Sequence, residues 1–288
     1  DAAAQRDRDA RLVARRVSAR TAVSDGSPLE LSRLLEGRTN PEREAAAFVR
    51  RHRSEPWFLY LAFNAPHNPS EPTPERLARF AAIQDPMRQK YAAQVSLMDD
   101  AIGETMSAVR ETGQERRTLV FFFSDNGGPV GINGSSNAPL RGAKGSVYEG
   151  GVRVPFVVSW PERLPAGRTD DRAVSSLDVF ATALGVAGVA LPADRRYDGV
   201  NLIPYLTGEN KGAPHERLFW RNSALLAVRE GDWKLVRSAG ATDELYDLVV
   251  RHHGSNSQPS SRSLASAIPF ASTSVSWLLS QNSAPPKG

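Results

Sequence analysis

Apolar runs and amphipathic segments alternate along the first two thirds of the chain. The runs Trp57–Phe63, Thr118–Phe123 and Pro155–Trp160 are short and rich in aromatic or β-branched residues, which predicts strands buried on both faces. Between the first two runs, apolar residues recur at spacings of four and three from Tyr91 to Val109, which predicts one long helix beginning near Asp85. This alternation predicts an α/β fold.

Two shorter segments also carry helix signals. The pair Asn40-Pro41 predicts a helix start, with Asn40 as the N-cap residue and Pro41 at the first helical position. The helical pattern extends to about His52. A second helix is predicted to begin in the segment 175–178 and to end near Gly188. Its apolar face is predicted to consist of Leu177, Phe180, Leu184 and Ala187.

The pattern changes at residue 197, where short apolar runs separated by tight turns replace the longer segments. Such runs predict a small antiparallel sheet. The chain thus divides into an Arg/Ala-rich lead-in (1–40), a larger α/β region (41–196), a small antiparallel subdomain (197–248) and a Ser-rich tail (249–288). The lead-in is predicted to be partly disordered or to contain a solvated helix. The tail is predicted to be disordered or to result from an altered reading frame.

Oxygen-bearing side chains follow the second apolar run directly, in the sequence Ser124-Asp125-Asn126-Gly127-Gly128. Ligands of open α/β sheets bind at the carboxyl ends of the strands, and Asp and Asn oxygens suit a hard divalent cation. Asn-Gly is also a strong turn signal, so a simple turn is the alternative.

Two further residues are candidates for binding an oxyanion. Lys144 is flanked by Gly and Ala residues, which let the backbone approach a ligand closely, and its ammonium group can act as a point charge. His67 lies in the proline-stiffened loop after the first run. Taken alone, each is interpreted as a solvated or structural loop residue. The chain has no G-x-x-x-x-G-K-[ST] pattern, which argues against a nucleotide P-loop.

Other charged residues are predicted to have no chemical role. Asp99 and Asp100 lie inside the long helical pattern, where adjacent side chains point in different directions, so they are interpreted as surface charges rather than a metal pair. His215 is predicted to lie on a loop, with a surface role favoured over a place at a substrate entrance.

Composition narrows the function classes. The chain of 288 residues has 40% hydrophobic and 24% charged residues and a net charge of +4, a surplus too small to indicate nucleic-acid binding. It contains no cysteine, which excludes disulfides, thiolate metal sites and a cysteine nucleophile within it. No apolar run is long enough for a membrane span, and no signal-peptide pattern is recognised.

Four motifs in order resemble the sulfatase family of the alkaline phosphatase superfamily: APHNP (65–69), SDNGG (124–128), SNAPLRGAKGSVYEGGVRVPF (136–156) and WKLVR (233–237). The resemblance implies an alkaline phosphatase-like mixed sheet flanked by helices, here incomplete, with a small C-terminal subdomain. It implies that Asp125 and Asn126 hold calcium and that His67 and Lys144 contact the sulfate ester, His67 as leaving-group acid or as sulfate ligand. It also implies a structural role for Asp178.

The resemblance further implies a sulfuric ester hydrolase acting on a sulfated small molecule or glycan. Sulfatases carry a Cys- or Ser-x-Pro-Ser-Arg motif whose first residue becomes the nucleophile formylglycine, and no x-Pro-Ser-Arg sequence occurs in this chain. The chain is therefore expected to be a C-terminal portion with little turnover alone. A phosphate or phosphonate ester hydrolase of the same superfamily and a non-catalytic sulfate-binding remnant are the alternatives.

Overall fold

The computed structural model describes residues 41–69, 71–238 and 240–248, so the lead-in and the tail lie outside the described residues. The helices are α1 (Pro41–Arg51), α2 (Pro74–Ala78), α3 (Pro86–Glu111), α4 (Glu149–Val152), α5 (Asp178–Val186) and α6 (Ile203–Leu206), with a short 3-10 turn at Glu115–Arg117. The strands are β1 (Val120–Phe123), β2 (Phe156–Ser159), β3 (Arg217–Asn222), β4 (Leu225–Glu230), β5 (Trp233–Arg237) and β6 (Glu244–Asp247).

The predicted long helix is confirmed as α3. Asp85 caps its start, because one carboxylate oxygen accepts the Arg88 backbone N–H at 2.6 Å. Gly113, with φ of 68°, follows its end, where a left-handed residue commonly stops a helix. Helix α1, also predicted, packs against α3 through a core of small and branched residues that consists of Ala46, Val49, Ala108 and Val109.

The predicted apolar stripe of α3 is not its most buried face. Apart from Val109, its members are only partly buried, whereas the fully buried positions are mostly small: Ala93, Ala101, Thr105 and Ala108. Small side chains let neighbouring backbone approach closely, and a pattern of large apolar residues does not reveal such a face. Asp99 and Asp100 are exposed as predicted, and Asp100 pairs with Arg76 at 2.6 Å.

Strands β1 and β2 confirm two of the predicted strands, but the expectation that both faces would be buried is wrong. They pair antiparallel, with Phe122 opposite Val157. These two side chains are 40% and 55% exposed, whereas Phe123 and Phe156 stack on the other face with ring centroids 5.5 Å apart. Among the described residues the sheet has two strands and one covered face.

The predicted strand at 57–63 is not formed. This segment has no strand assignment, and two of its aromatic side chains, Phe58 and Tyr60, are exposed. Trp57 and Leu59 pack on the α1–α3 core instead. An apolar run becomes a strand only when a neighbouring strand accepts its backbone hydrogen bonds, and the described residues supply none here.

Helix α5 forms where predicted, but the predicted apolar face points outward. Leu177 and Phe180 are more than half exposed, and the buried positions are Asp178, Ala181 and Thr182. The Thr182 hydroxyl accepts a hydrogen bond from the Leu202 backbone N–H at 3.0 Å. This bond satisfies the buried hydroxyl group.

The predicted antiparallel sheet of the C-terminal region is confirmed as β3-β4-β5-β6, with Val228, Leu235 and Leu245 at its core. The described residues form two compact units, one ending at His215 and one beginning at Glu216. No helix in the described part of the chain is both long and apolar enough to cross a membrane.

Candidate functional site

The loop after β1 begins with a backbone connection to β2 and then turns sharply. The Ser124 N–H donates to the Pro155 carbonyl at 3.3 Å, and the Ser124 hydroxyl donates to the Asn126 carbonyl at 2.9 Å. One carboxylate oxygen of Asp125, Oδ1, accepts the Asn126 N–H at 2.9 Å. The Asp125 side chain is exposed, so its second oxygen, Oδ2, remains available for a ligand at the carboxyl end of the strand.

Two glycines let this loop pack closely, Gly127 on the backbone of α4 and Gly128 on the Ser135 side chain. The Gly127 N–H donates to the Gly151 carbonyl at 2.9 Å, and a Cβ atom added at Gly127 would lie 1.8 Å from the Gly150 carbonyl oxygen. A Cβ added at Gly128 would lie 2.3 Å from the Ser135 hydroxyl oxygen. The contact at Gly127 is with backbone, so only glycine fits there, and it positions the preceding Asp125 and Asn126 against α4.

Lys144 lies on a second loop that is hydrogen-bonded to the first. Its backbone N–H donates to the Gly128 carbonyl at 3.2 Å, and the turn before it passes through Gly142, whose φ of 96° favours glycine. The Lys144 side chain is exposed and makes no hydrogen bond or ion pair with any other described residue. Its ammonium group is therefore available to an anion beside the Asp125 loop.

His67 lies on a third loop, and its ring is oriented by its own chain. Ring atom Nδ1 is 2.6 Å from the Asn68 carbonyl oxygen. Because a carbonyl can only accept, Nδ1 carries the proton of this hydrogen bond, and the exposed Nε2 is the nitrogen that can meet a ligand. The Gln94 side-chain amide of α3 donates to the His67 carbonyl at 3.2 Å, which ties this loop to the helix.

Two asparagines connect the His67 loop to the segment that follows Gly128. The Asn133 side chain donates to the Pro66 carbonyl at 3.3 Å, and the Asn68 side chain donates to the Ile132 carbonyl at 3.4 Å. The three loops are thus joined in series by hydrogen bonds. Within the described residues, no hydrogen bond or ion pair joins the side chains of His67, Asp125, Asn126 and Lys144 to one another.

Asp125 and Asn126 suit calcium in donor chemistry but not in number. A carboxylate and a side-chain amide oxygen are hard ligands of the kind that calcium takes, at about six to eight per ion. The described residues contain no group of three or more His, Cys, Asp or Glu side chains able to hold a metal. These two residues therefore do not make a complete metal site by themselves.

His215 is not the surface residue that was predicted. Its side chain is 8% exposed, and Nε2 lies 2.9 Å from both carboxylate oxygens of Asp178, which is fully buried. Asp178 also accepts the Ser175 N–H at 2.7 Å and the Val200 N–H at 2.9 Å. The pair joins three chain segments, in agreement with the predicted structural role of Asp178.

Asn137 and Arg141 contribute contacts around these loops that no motif predicted. The Asn137 amide bonds the backbone of Gly128 and Gly142, and the Arg141 guanidinium lies over the Tyr148 ring at 4.0 Å from its centroid. The loop around Asn137 is rich in Gly, Ser and Asn, which is the composition of an ordinary turn. The only feature of the sequence that pointed to a role for Asn137 was its position between the Asp-Asn and Lys motifs.

Comparison with known proteins agrees with the arrangement of motifs. The family model "Sulfatase" matches residues 43–189, half of the chain, and the model "N-sulphoglucosamine sulphohydrolase, C-terminal" matches residues 143–256. The two matches together include all three loops and the C-terminal sheet.

Individual relatives are sulfatases by name. The chain is 41% identical to mouse steryl-sulfatase over 194 residues, covering 65% of this chain and 30% of that protein. It is 34% identical to dog N-acetylgalactosamine-6-sulfatase over 199 residues, covering 67% of this chain and 36% of that protein. It thus spans about a third of the length of these curated relatives.

A solved structure extends the likeness to the fold. The crystal structure of Ps i-CgsB in complex with k-i-k-neocarrahexaose matches with a TM-score of 0.68 and 33% identity, covering 72% of this chain and 47% of that one. The family match, the named relatives and the shared fold lead to one conclusion: this chain belongs to the sulfatase family.

Proposed function

We propose that the protein containing this chain hydrolyses sulfate monoesters, and that the three joined loops carry part of its active site. The observation that supports this most directly is the hydrogen bond from the Lys144 N–H to the Gly128 carbonyl, 3.2 Å long, two residues beyond Asn126. This hydrogen bond brings the backbone of Lys144, which carries the available ammonium group, beside the loop that carries the oxygen ligands Asp125 and Asn126.

In this proposal Lys144 binds one sulfate oxygen. A fixed positive charge at a glycine-lined loop stabilises the ester oxygens without having to reorganise during the reaction. The flanking Gly142 and Gly145, both with positive φ, keep side chains away from the neighbouring backbone and leave the ammonium group accessible. Lys144 contributes as a point charge and not through a bidentate contact.

His67 acts through Nε2, because Nδ1 is occupied by the Asn68 carbonyl at 2.6 Å. The neutral ring can accept a proton or hydrogen bond at this atom. The protonated ring can donate one, either to a sulfate oxygen or to the oxygen of the departing alcohol. The Gln94 and Asn133 contacts hold the loop and therefore limit the positions that the ring can occupy.

Asp125 and Asn126 supply two of the ligands of a divalent cation, which we propose to be calcium. When bound, the cation neutralises charge on the ester oxygens. Carboxylate oxygen Oδ2 of Asp125 and the Asn126 amide oxygen are the donors, since Oδ1 already accepts the Asn126 N–H. Further ligands must come from water or from protein outside the described residues.

The substrate is proposed at the level of its class. One structural neighbour is described in complex with neocarrahexaose, and the relatives include a steryl-sulfatase and an N-acetylgalactosamine-6-sulfatase. These names support a sulfate ester of a sugar or of another alcohol. In this proposal Lys144 and His67 act at the atoms of the sulfate ester group, and Asp125 and Asn126 hold the cation. None of the four contacts the rest of the alcohol, so they are compatible with either kind of alcohol.

Binding of inorganic sulfate to the purified 288-residue chain tests the site. In buffer with calcium chloride, sodium sulfate should raise the melting temperature relative to sodium chloride at equal ionic strength, because a ligand of the folded state stabilises it. Lys144→Ala should abolish the rise. Lys211→Ala removes the same charge from an exposed position of the same unit and should leave the rise intact.

Other outcomes support the competing functions. A larger rise with phenylphosphonate than with sulfate would favour a phosphate or phosphonate ester hydrolase. Turnover itself is tested with the full-length gene product on 4-nitrophenyl sulfate. Sulfate binding without turnover in that protein would favour a non-catalytic sulfate-binding remnant, and equal responses of the two lysine variants would contradict the proposed site.

A further inference from the structure

The Asn137 side chain uses its whole carboxamide to bind backbone on both sides of the candidate site. Its Oδ1 accepts the Gly128 N–H at 2.9 Å, and its Nδ2 donates to the Gly128 carbonyl at 2.9 Å. The Asn137 amide therefore pairs with Gly128 through one donor and one acceptor, as backbone groups pair between neighbouring strands of a sheet. Nδ2 also donates to the Gly142 carbonyl at 3.2 Å.

The two glycines that Asn137 contacts are placed symmetrically about the site residues in the sequence. Gly128 lies two residues after Asn126, and Gly142 lies two residues before Lys144. One side chain thus connects the loop with the proposed cation ligands to the loop with the proposed sulfate-binding lysine. This planar group, together with the direct hydrogen bond from the Lys144 N–H to the Gly128 carbonyl, sets the separation of the two loops.

The surroundings of Asn137 leave little room for an alternative arrangement. A Cβ atom at Gly128 would lie 2.3 Å from the Ser135 hydroxyl and 3.4 Å from Oδ1 of Asn137, so the loop already approaches as closely as a glycine allows. The Gly128 carbonyl also accepts the Lys144 N–H at 3.2 Å. The same carbonyl therefore orients both the asparagine and the lysine backbone.

We propose that Asn137 is a positioning residue of the sulfate-ester site, which holds Lys144 at a fixed distance from the Asp125-Asn126 pair. The inference rests on the proposed function. Asn137 does not touch the ester; it acts through the backbone of Gly128 and Gly142. Because the attraction between the Lys144 ammonium group and an anion weakens as their separation grows, loss of this link should weaken sulfate binding.

Calorimetric titration of the 288-residue chain with sodium sulfate, in buffer with calcium chloride, tests the inference. Asn137→Ala should weaken sulfate binding by roughly tenfold, because the Lys144 ammonium group is no longer held against the bound anion. Asn137→Asp should do the same, since it keeps an acceptor for the Gly128 N–H but turns a carboxylate oxygen toward two carbonyls. The matched control is Asn201→Ala, which removes an asparagine whose Oδ1 accepts the Ile203 N–H at 3.0 Å outside the three loops.

A second readout separates positioning from general stability. Amide hydrogen exchange at Gly128 should accelerate in Asn137→Ala, which removes the acceptor of that N–H. Exchange at Lys144 should accelerate in both Asn137 variants, and both rates should remain unchanged in Asn201→Ala, even where melting temperatures fall equally. Sulfate affinity within twofold of wild type in a folded Asn137 variant would overturn this inference and leave the proposed function intact. A wild-type chain that binds no sulfate would overturn the proposed function and, with it, the inference.

Discussion

The imidazole of His215 lies against the buried carboxylate of Asp178, with Nε2 2.9 Å from each carboxylate oxygen. The same carboxylate accepts the backbone N–H groups of Ser175 and Val200. Both carboxylate oxygens of Asp178 are thereby hydrogen-bonded, and the start of α5 is joined to two segments that follow it in the sequence.

Removal of either partner should destabilise the larger unit. We expect Asp178→Ala to lower the free energy of unfolding by about 3–5 kcal/mol, because it breaks a buried charged network. His215→Ala should cost about 1–3 kcal/mol, because the carboxylate keeps its two backbone donors. Urea unfolding followed by far-UV circular dichroism measures both. Asp171→Ala, at an exposed neighbouring position, should change stability by less than about 0.5 kcal/mol, and an equal loss in all three variants would contradict this account.

The backbone contact of Gly127 predicts a position that tolerates no side chain. Gly127→Ala would bring a methyl group within 1.8 Å of the Gly150 carbonyl oxygen. Backbone must move to relieve this, so we expect a loss of at least about 3 kcal/mol in unfolding free energy and loss of sulfate binding. The control, Gly103→Ala, adds a methyl group with no atom within 4 Å on helix α3. Gly103→Ala should stabilise the chain by about 0.5–1 kcal/mol, since alanine favours a helix. Sulfate binding retained by Gly127→Ala would contradict the prediction.

The pair of Asp170 and Arg172 predicts an acid-dependent contribution to stability. The hydrogen bonds that the Arg172 guanidinium donates lower the pKa of Asp170. The folded state therefore binds fewer protons than the unfolded state in acid. The stabilisation is present above the unfolded pKa of about 3.9 and is lost as pH falls through the lower folded pKa.

Unfolding measured across this acid range in wild type and Asp170→Asn checks the sign. The stability advantage of wild type should be largest at neutral pH and should shrink below about pH 4. Asp194 pairs with Arg195 on the surface, and its pKa is also lowered, first by a hydrogen bond from that arginine. Asp194→Asn should show a smaller change, because exposed pairs are screened by solvent. An advantage for wild type that grows as the pH falls would refute the assignment.

The 288-residue chain by itself should not turn over a sulfate ester. It contains no x-Pro-Ser-Arg sequence, and the described residues supply only two of the proposed calcium ligands. We expect 4-nitrophenyl sulfate hydrolysis by the purified chain to equal that of a Lys144→Ala control. Hydrolysis that exceeds the control would show that residues of this chain provide a nucleophile that neither the motifs nor the geometry identified.

Periodicity predicted some elements well because their signals are local. The strand at Val120–Phe123 and the helix after Asp85 follow from side-chain pattern and capping alone. The segment 57–63 has the same apolar composition as a strand but finds no ladder partner in the part of the chain that the structure describes, and sequence composition does not specify partners. The buried face of α3 was missed because its members are small.

The long-range contacts were beyond a sequence argument for a different reason. Asp178 and His215 are 37 residues apart, and neither position has a local pattern that points to the other. The hydrogen-bond partners of Asn137 are backbone atoms, which every residue has, so no partner side chain in the sequence could indicate its role. In its loop it looked like an ordinary turn residue. By contrast, the motifs around Asp125, Lys144 and His67 were recognisable because several of them occur in order. Their assignment to calcium and sulfate remains a prediction.

The outward face of the β1–β2 pair affects how the chain should be handled in solution. Phe122 and Val157 form an apolar cross-strand pair open to water. Such a surface favours contacts between molecules as concentration rises. Light scattering at increasing protein concentration should therefore report self-association, and replacing Val157 by lysine should improve the yield of monodisperse material without altering the loops that begin after Phe123.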